Sequence, residues 1–223
     1  MRSYETFKIM MNETRRELKE MGIIVKSFTY QDKESDAAHS EVYELPSYSY
    51  IVYKPNSEEV PDVSQPWAIE EFAERLLPEI NPGTAYLKRR EIWGSFLNDW
   101  DKFDYTYSER LHPYLEMIIK LLKDNPFTRQ AFLPIFDSYD LFHIEGKKRI
   151  PCSIGYHFII RENKLHITYL QRSADFVTHF ANDVYLACKL GEYVAGQTEM
   201  ELATFTHWIG SLHVFTGDVA DVF

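Results

Sequence analysis

Apolar residues recur along the chain at two spacings, and each predicts a different element. Between His112 and Asn125, Leu115, Ile118, Ile119 and Leu122 stand at i, i+3, i+4 and i+7, one apolar stripe on a helix. Phe7, Met10 or Met11, Leu18 and Met21 recur near the same period, so residues 5–21 also read as helix, with Gly22 as a stop before the apolar run 23–25. Trp67 to Leu77 reads as a third helix ended by Pro78, and Asn182 to Tyr193 as a fourth. Strict alternation marks strands instead. Ile154, Tyr156, Phe158 and Ile160 alternate up to Glu162-Asn163, and Leu165, Ile167 and Tyr169 alternate beyond, which predicts a hairpin with Cys152 at its entrance. Tyr48 to Tyr53 and the apolar stretch His207 to Phe215 read as further strands. Gln31 to Ser40 is polar and predicts a surface loop; Pro55, Pro61 and Pro66 punctuate a long connection, and Asn81-Pro82-Gly83 a turn. Strands dispersed among helices predict an α+β sheet protein.

Composition narrows this picture. With 223 residues, 45% of them hydrophobic, residues 1–223 are expected to form a single domain. The net charge of -10 disfavours a nucleic-acid polymer or an anionic membrane surface as partner, while leaving room for arginines that hold one small phosphate ester. No apolar run approaches the roughly 20 residues that span a bilayer, and Glu5 and Lys8 interrupt the first ten residues where a signal peptide would be apolar, so a cytoplasmic address is expected. Cys152 and Cys188 are too few for a disulfide framework, and the eight histidines form no metal-binding pattern, so no metal is expected.

The last third carries Arg149-Ile150-Pro151-Cys152, Gln171-Arg172-Ser173-Ala174-Asp175, Phe180-Ala181-Asn182-Asp183 and Gly210-Ser211-Leu212-His213-Val214-Phe215. Upstream stand Ile92-Trp93, Tyr105 to Arg110, and the stretch LLKDNPFTR ending at Arg129. As an ensemble, from about Trp67 to Val219, these resemble the thymidylate synthase superfamily, including its twenty-residue interval from the nucleophilic cysteine to a phosphate-binding arginine. The resemblance implies a mixed twisted sheet flanked by helices, one sheet face packing in a homodimer. It also implies a pyrimidine nucleoside monophosphate as substrate and 5,10-methylenetetrahydrofolate, or a modified folate, as one-carbon donor.

The chemistry of such a reaction can be matched to residues. Carbon-6 of a pyrimidine is electron-poor; a thiolate adds there and leaves carbon-5 able to attack an electrophilic methylene. The resemblance makes Cys152 that nucleophile, and a guanidinium such as Arg172 would favour its thiolate form. Cys188, inside a predicted helix, reads as a small buried residue. Arg172 and Ser173 resemble the pair that grips the nucleotide phosphate, and Arg129 resembles one of two arginines supplied across the dimer, the second being Gln130 here. Lys26 lies near the region of a further phosphate group without a matching context. Tyr107 matches an active-site tyrosine, His213 the sugar-contacting histidine, and Asp175 and Trp93 the folate pocket, where His179 replaces a glycine. Phe215 replaces a tyrosine that contacts the sugar, which leaves ribose and deoxyribose both open. The catalytic glutamate falls on Glu71 by its interval to Trp93; Glu74 fits only with a gap.

Base selection is expected at Asn182-Asp183. Counted without a gap from Arg172, the base-reading position is Asp183, and the pattern RSxDxVxxFxND is similar to that of phage deoxycytidylate hydroxymethylases; a one-residue gap puts Asn182 there instead. A carboxyl group accepts from the cytosine amine and, when protonated, donates to the bare ring nitrogen. Ser153 after Cys152, where a histidine is common in thymidylate synthases, resembles the hydroxymethylases too. The chain stops at Phe223 without the tail that closes many thymidylate synthases, which favours a reaction that uses water. The expectation is therefore hydroxymethylation of dCMP or CMP. Methylation of dUMP and a catalytically silent nucleotide-binding homologue are the alternatives.

Overall fold

The computed structural model describes residues 1–27, 29–30, 33–34, 40–78, 80–145 and 149–223. Its strands are β1 (Arg2–Tyr4), β2 (Ile23–Lys26), β3 (Thr29–Tyr30), β4 (Lys33–Glu34), β5 (Glu41–Tyr53), β6 (Phe132–Pro134), β7 (Ser153–Arg161), β8 (Lys164–Asp175) and β9 (Glu201–Phe215). The helices are α1 (Phe7–Met21), α2 (Trp67–Arg75), α3 (Arg90–Trp93), α4 (Tyr107–Asp124), α5 (Asp140–Glu145) and α6 (Ala181–Gln197). Strand order in the main sheet is β1-β5-β9-β8-β7-β6, with β2 also paired to β5. The sheet is mixed: β8 and β9 run parallel, as do β1 and β5, and the other pairs are antiparallel. A parallel pair needs a crossover, and α6 supplies it between β8 and β9. Most of the expected loop 31–40 lies outside the described residues; the described parts are β4 and Ser40.

Local chemistry explains most boundaries. The α4 stripe of Leu111, Leu115, Ile118, Ile119 and Leu122 is buried as its spacing predicts. The helix nevertheless begins at Tyr107, before His112, because Thr106 and Glu109 form a reciprocal capping box that nucleates the first turn despite Pro113. In α1 the apolar face ends at Leu18; Met21 is exposed. The β7–β8 hairpin turns at Glu162 and Asn163, both left-handed at φ 53° and 57°, as a two-residue turn matched to strand twist requires. Strand β5 starts at Glu41, before Tyr48, and holds one register with β9 from Val42–Phe215 to Tyr53–Thr204, although Ser47 within it is left-handed at φ 54°. Gly210 lies opposite on β9: a Cβ there would sit 2.6 Å from the Arg172 carbonyl oxygen, so glycine lets β8 and β9 close up beside the site.

Helices α1, α4 and α6 pack on one face of the sheet. On that face Tyr156, Tyr169, His207 and Tyr50 stand in register across four strands and are all buried. Their rings form a row, with Tyr156 to Tyr169 at 4.9 Å, Tyr169 to His207 at 4.5 Å and His207 to Tyr50 at 5.4 Å. The opposite face carries Ile51, Ile154, Ile159, Leu170 and Trp208, all only partly covered.

Candidate active site

A cleft of about 310 Å³ opens at the carboxyl ends of the parallel strands β8 and β9. Strand ends supply Arg172, Ser173, Asp175, Ser211, His213 and Phe215; Cys152 precedes β7, and Tyr107 and Asp183 come from the first turns of α4 and α6. Each of these side chains sits where a regular element stops, so neighbouring ladders fix its backbone while its tip is left to the cleft. Trp93, Arg149 and His179 line the wall opposite Val42 and Glu44.

Cys152 is half-buried beside Arg172. The Arg172 Nη2 lies 3.8 Å from Sγ, and the same guanidinium donates from Nε to the Pro151 carbonyl (2.9 Å) and from Nη2 to the Ile150 carbonyl (3.2 Å). Its backbone N–H donates to the Cys152 carbonyl at 2.8 Å. Arg172 therefore clamps the segment that presents the thiol, and Nη1 has no hydrogen-bond partner among the described residues and could meet an anion. Cys188, by contrast, is sealed inside α6 with its Sγ near Glu192, and burial pushes its thiol well above the usual range.

Asp183 and Asn182 part company. Asp183 lines the cleft, whereas Asn182 is buried away from it: its Oδ1 accepts from Ser64 N–H (2.8 Å) and its Nδ2 donates to Ser64 Oγ (3.3 Å). Consecutive residues on a helix point about 100° apart, so only one of the two faces the cleft. The Asp183 Oδ2 accepts from Gln171 Nε2 at 2.7 Å. Burial raises its carboxyl to about 6, partly opposed by that hydrogen bond and by Arg75 and Arg89. Burial lowers His213, so its imidazole is neutral at pH 7; its Nδ1 lies 3.4 Å from Ser211 Oγ. Tyr107 Oη is 2.9 Å from Ser153 Oγ, which is 2.5 Å from Tyr169 Oη, and burial holds both phenols protonated.

The remaining expected residues fall in three places. Asp175 caps the π-helical turn Phe176–Phe180 through Oδ1, accepting from the N–H groups of Val177 (3.0 Å) and Thr178 (3.3 Å). Among the described residues its Oδ2 is buried without a partner, as are the indole N–H groups of Trp67 and Trp93, which stack at 5.9 Å. Orphaned donors and acceptors around one wall fit a flat heterocycle with polar edges such as a pterin. Glu71 is not on the cleft wall: its carboxylate pairs with Arg75 Nε at 2.9 Å and borders an adjoining cavity of about 60 Å³ that shares Arg75, Tyr105 and Tyr107. Glu74 takes the N–H groups of Thr84 (2.6 Å) and Ala85 (2.9 Å), a structural task. Arg129 is exposed, in the segment leading to β6 and outside the cleft.

Among the described residues three further cations line the cleft. Lys26 enters from β2. Arg75 is buried with its guanidinium 4.0 Å from the Tyr107 ring centre, a position signalled only by its i+4 spacing from Glu71. Arg149 is held among the rings of Phe96 (4.4 Å), Trp93 (5.2 Å) and Tyr105 (5.5 Å). Burial pushes His179, which faces Trp93 at 5.4 Å, down to about 4.

The sequence model of the family described as "Thymidylate synthase" matches residues 68–222. Proteins named "Putative thymidylate synthase" are similar over 197 residues, at 28% identity in Methanococcoides burtonii and 27% in Methanosarcina acetivorans, covering 82% of this chain and 79% of each relative. The thermostable thymidylate synthase A from Bacillus subtilis has the same fold, with a TM-score of 0.76 at 16% identity over 97% of this chain and 82% of that one.

The buried Asp183 makes a prediction about stability. Its folded-state value is raised above that of the unfolded chain, so its contribution is fully favourable below about 4 and is lost as pH rises through about 6. About two units correspond to about 3 kcal/mol. Asp183→Asn is expected to raise the urea-unfolding free energy by about that amount at pH 8 and to change it little at pH 4. An equal effect at both pH values would contradict this.

Proposed function

Since the chain belongs to the thymidylate synthase family, whose reaction is one-carbon transfer to a pyrimidine nucleotide, we propose that its product is a 5-hydroxymethylcytidylate made from dCMP or CMP. The observation that carries this reading is that Asp183 faces the cleft while the Asn182 amide is spent on Ser64. A carboxyl near half-protonation at about 6 can accept from a cytosine amine and donate to its ring nitrogen.

The residues then take the following tasks. Arg172 Nη1 and Ser173 grip the 5'-phosphate, with Lys26 also lining the cleft and Arg129 supplied by a second subunit. His213 holds the sugar. Cys152 adds through sulfur to carbon-6, its anion favoured by the guanidinium 3.8 Å away. Asp175 and Trp93 would hold a methylene-tetrahydrofolate, which supplies a one-carbon unit at the oxidation level of formaldehyde. Tyr107, with Ser153 and Tyr169 behind it, is placed to move a proton at carbon-5. Glu71, in the adjoining cavity, is proposed to order water that enters there. Transfer of the one-carbon unit to carbon-5, with loss of the carbon-5 proton, would leave an exocyclic methylene. Attack of water oxygen on it, a water proton passing to Glu71, forms the hydroxymethyl group, and the electron pair returns through carbon-5 to carbon-6 as the bond to Cys152 sulfur breaks.

The names of the methanogen relatives favour a second reading, methylation of dUMP. The two differ in measurable products. With tritium at carbon-5 of dCMP, CMP and dUMP, release is expected chiefly from a cytidylate, with product heavier by CH2O and no dihydrofolate. Release from dUMP alone, with dihydrofolate formed, would reject the proposal.

The partly covered sheet face with Ile51, Ile154, Ile159, Leu170 and Trp208 supports a homodimer packed through the sheet, because apolar strand faces are stable when covered. Sedimentation equilibrium is expected to give about twice the 26.4 kDa chain mass. A 26.4 kDa species at micromolar concentration would exclude it.

A further inference from the structure

Behind Asp183 runs a buried polar row that the reaction itself does not use. Gln171 Nε2 donates to Asp183 Oδ2 at 2.7 Å, Gln171 Oε1 lies 3.0 Å from His207 Nε2, and His207 Nδ1 lies 3.0 Å from Tyr50 Oη. Gln171, His207 and Tyr50 are each at most 1% exposed. We infer that His207 is a positioning residue for base selection, its ring tautomer determining which oxygen of the Asp183 carboxyl presents a proton to the pyrimidine. The inference rests on Asp183 as the base-reading group.

Counting donors along the row gives it a direction. Burial pushes His207 down to about 3, so its ring is neutral and has one N–H and one bare nitrogen. Burial also holds the Tyr50 phenol protonated, and among the described residues its hydroxyl has no acceptor besides His207 Nδ1. With Tyr50 donating to Nδ1, the ring proton sits on Nε2 and is given to Gln171 Oε1. The amide then turns its N–H2 toward Asp183, where Oδ2 must accept. A neutral carboxyl in this setting carries its proton on Oδ1 and leaves Oδ2 to take the cytosine amine through its second lone pair. Reversing the row would strand the Tyr50 hydroxyl proton in a sealed site, at the cost of an unmade buried hydrogen bond. It would also draw the carboxyl proton onto Oδ2, toward the Gln171 carbonyl, and leave Oδ1 bare against the equally bare ring nitrogen. The ring has no easy way to turn over, being stacked between Tyr169 at 4.5 Å and Phe180 at 6.0 Å, with Phe205 at its edge.

Tyr50→Phe removes the proton that gives the row its direction and keeps the ring. The expected result is a fall of about tenfold in the cytidylate-to-uridylate ratio of kcat/KM, the loss appearing with the cytidylate. A purely structural role would lower both substrates together and leave the ratio unchanged; that result overturns the inference while the proposed function stands. A wild-type enzyme that turns over uridylate alone would remove the proposed function and this inference with it. Nitrogen-15 shifts of the wild-type imidazole, assigned with His207→Gln, give a readout independent of any variant's folding. They are expected to show a protonated Nε2 and a bare Nδ1; the opposite tautomer overturns the proposal.

Discussion

The Arg172 guanidinium, placed by β8 against the residues that lead into β7, is the contact on which the rest of the site depends. It donates to the carbonyls of Ile150 and Pro151 and approaches the sulfur of Cys152, so one cation both shapes the nucleophile's loop and sets its electrostatic surroundings. The arrangement needs β7 and β8 adjacent and in register, which the hairpin turn at Glu162-Asn163 supplies, and β9 close behind β8, which Gly210 permits. A guanidinium with most of its donors occupied is held rigidly. A phosphate bound at its Nη1, as proposed, would be met without reorganisation.

The sheet core is unusually polar for the face that packs against helices. Four rings in register, Tyr156, Tyr169, His207 and Tyr50, bring hydroxyl and imidazole groups into a buried layer where each must find a partner. The partners lead outward along two routes, one through Ser153 to Tyr107 and one through Gln171 to Asp183. Both routes end in the cleft. The core thus does more than supply apolar burial, since its hydrogen-bond directions carry into the groups that would meet the pyrimidine.

Much of this was legible in the sequence wherever a short-range rule governs the outcome. The α4 stripe, the β7–β8 hairpin and the placement of Cys152 at its mouth follow from periodicity and turn chemistry. Three-residue strands such as β1 and β6 carry no period to read, and the break at Pro46-Ser47 hid the first half of β5. Among site residues, those at strand and helix ends converge because their motifs fix their backbone positions. Arg75, Arg149 and Lys26 escaped because a long side chain's destination depends on partners distant in sequence, here Tyr107, Trp93 and β5. Which of Asn182 and Asp183 lines the cleft also needed the fold: spacing left both open, and Asn182 turns to Ser64 while Asp183 borders the cleft.

The central claim is a transient bond from one sulfur to a pyrimidine ring, and mass spectrometry of the intact protein reads it directly. Incubation with 5-fluoro-dCMP and methylene-tetrahydrofolate is predicted to give a covalent ternary adduct, traced after proteolysis to the peptide that contains Cys152 and absent from Cys152→Ala. An unmodified protein, or an adduct on Cys188, would contradict the account.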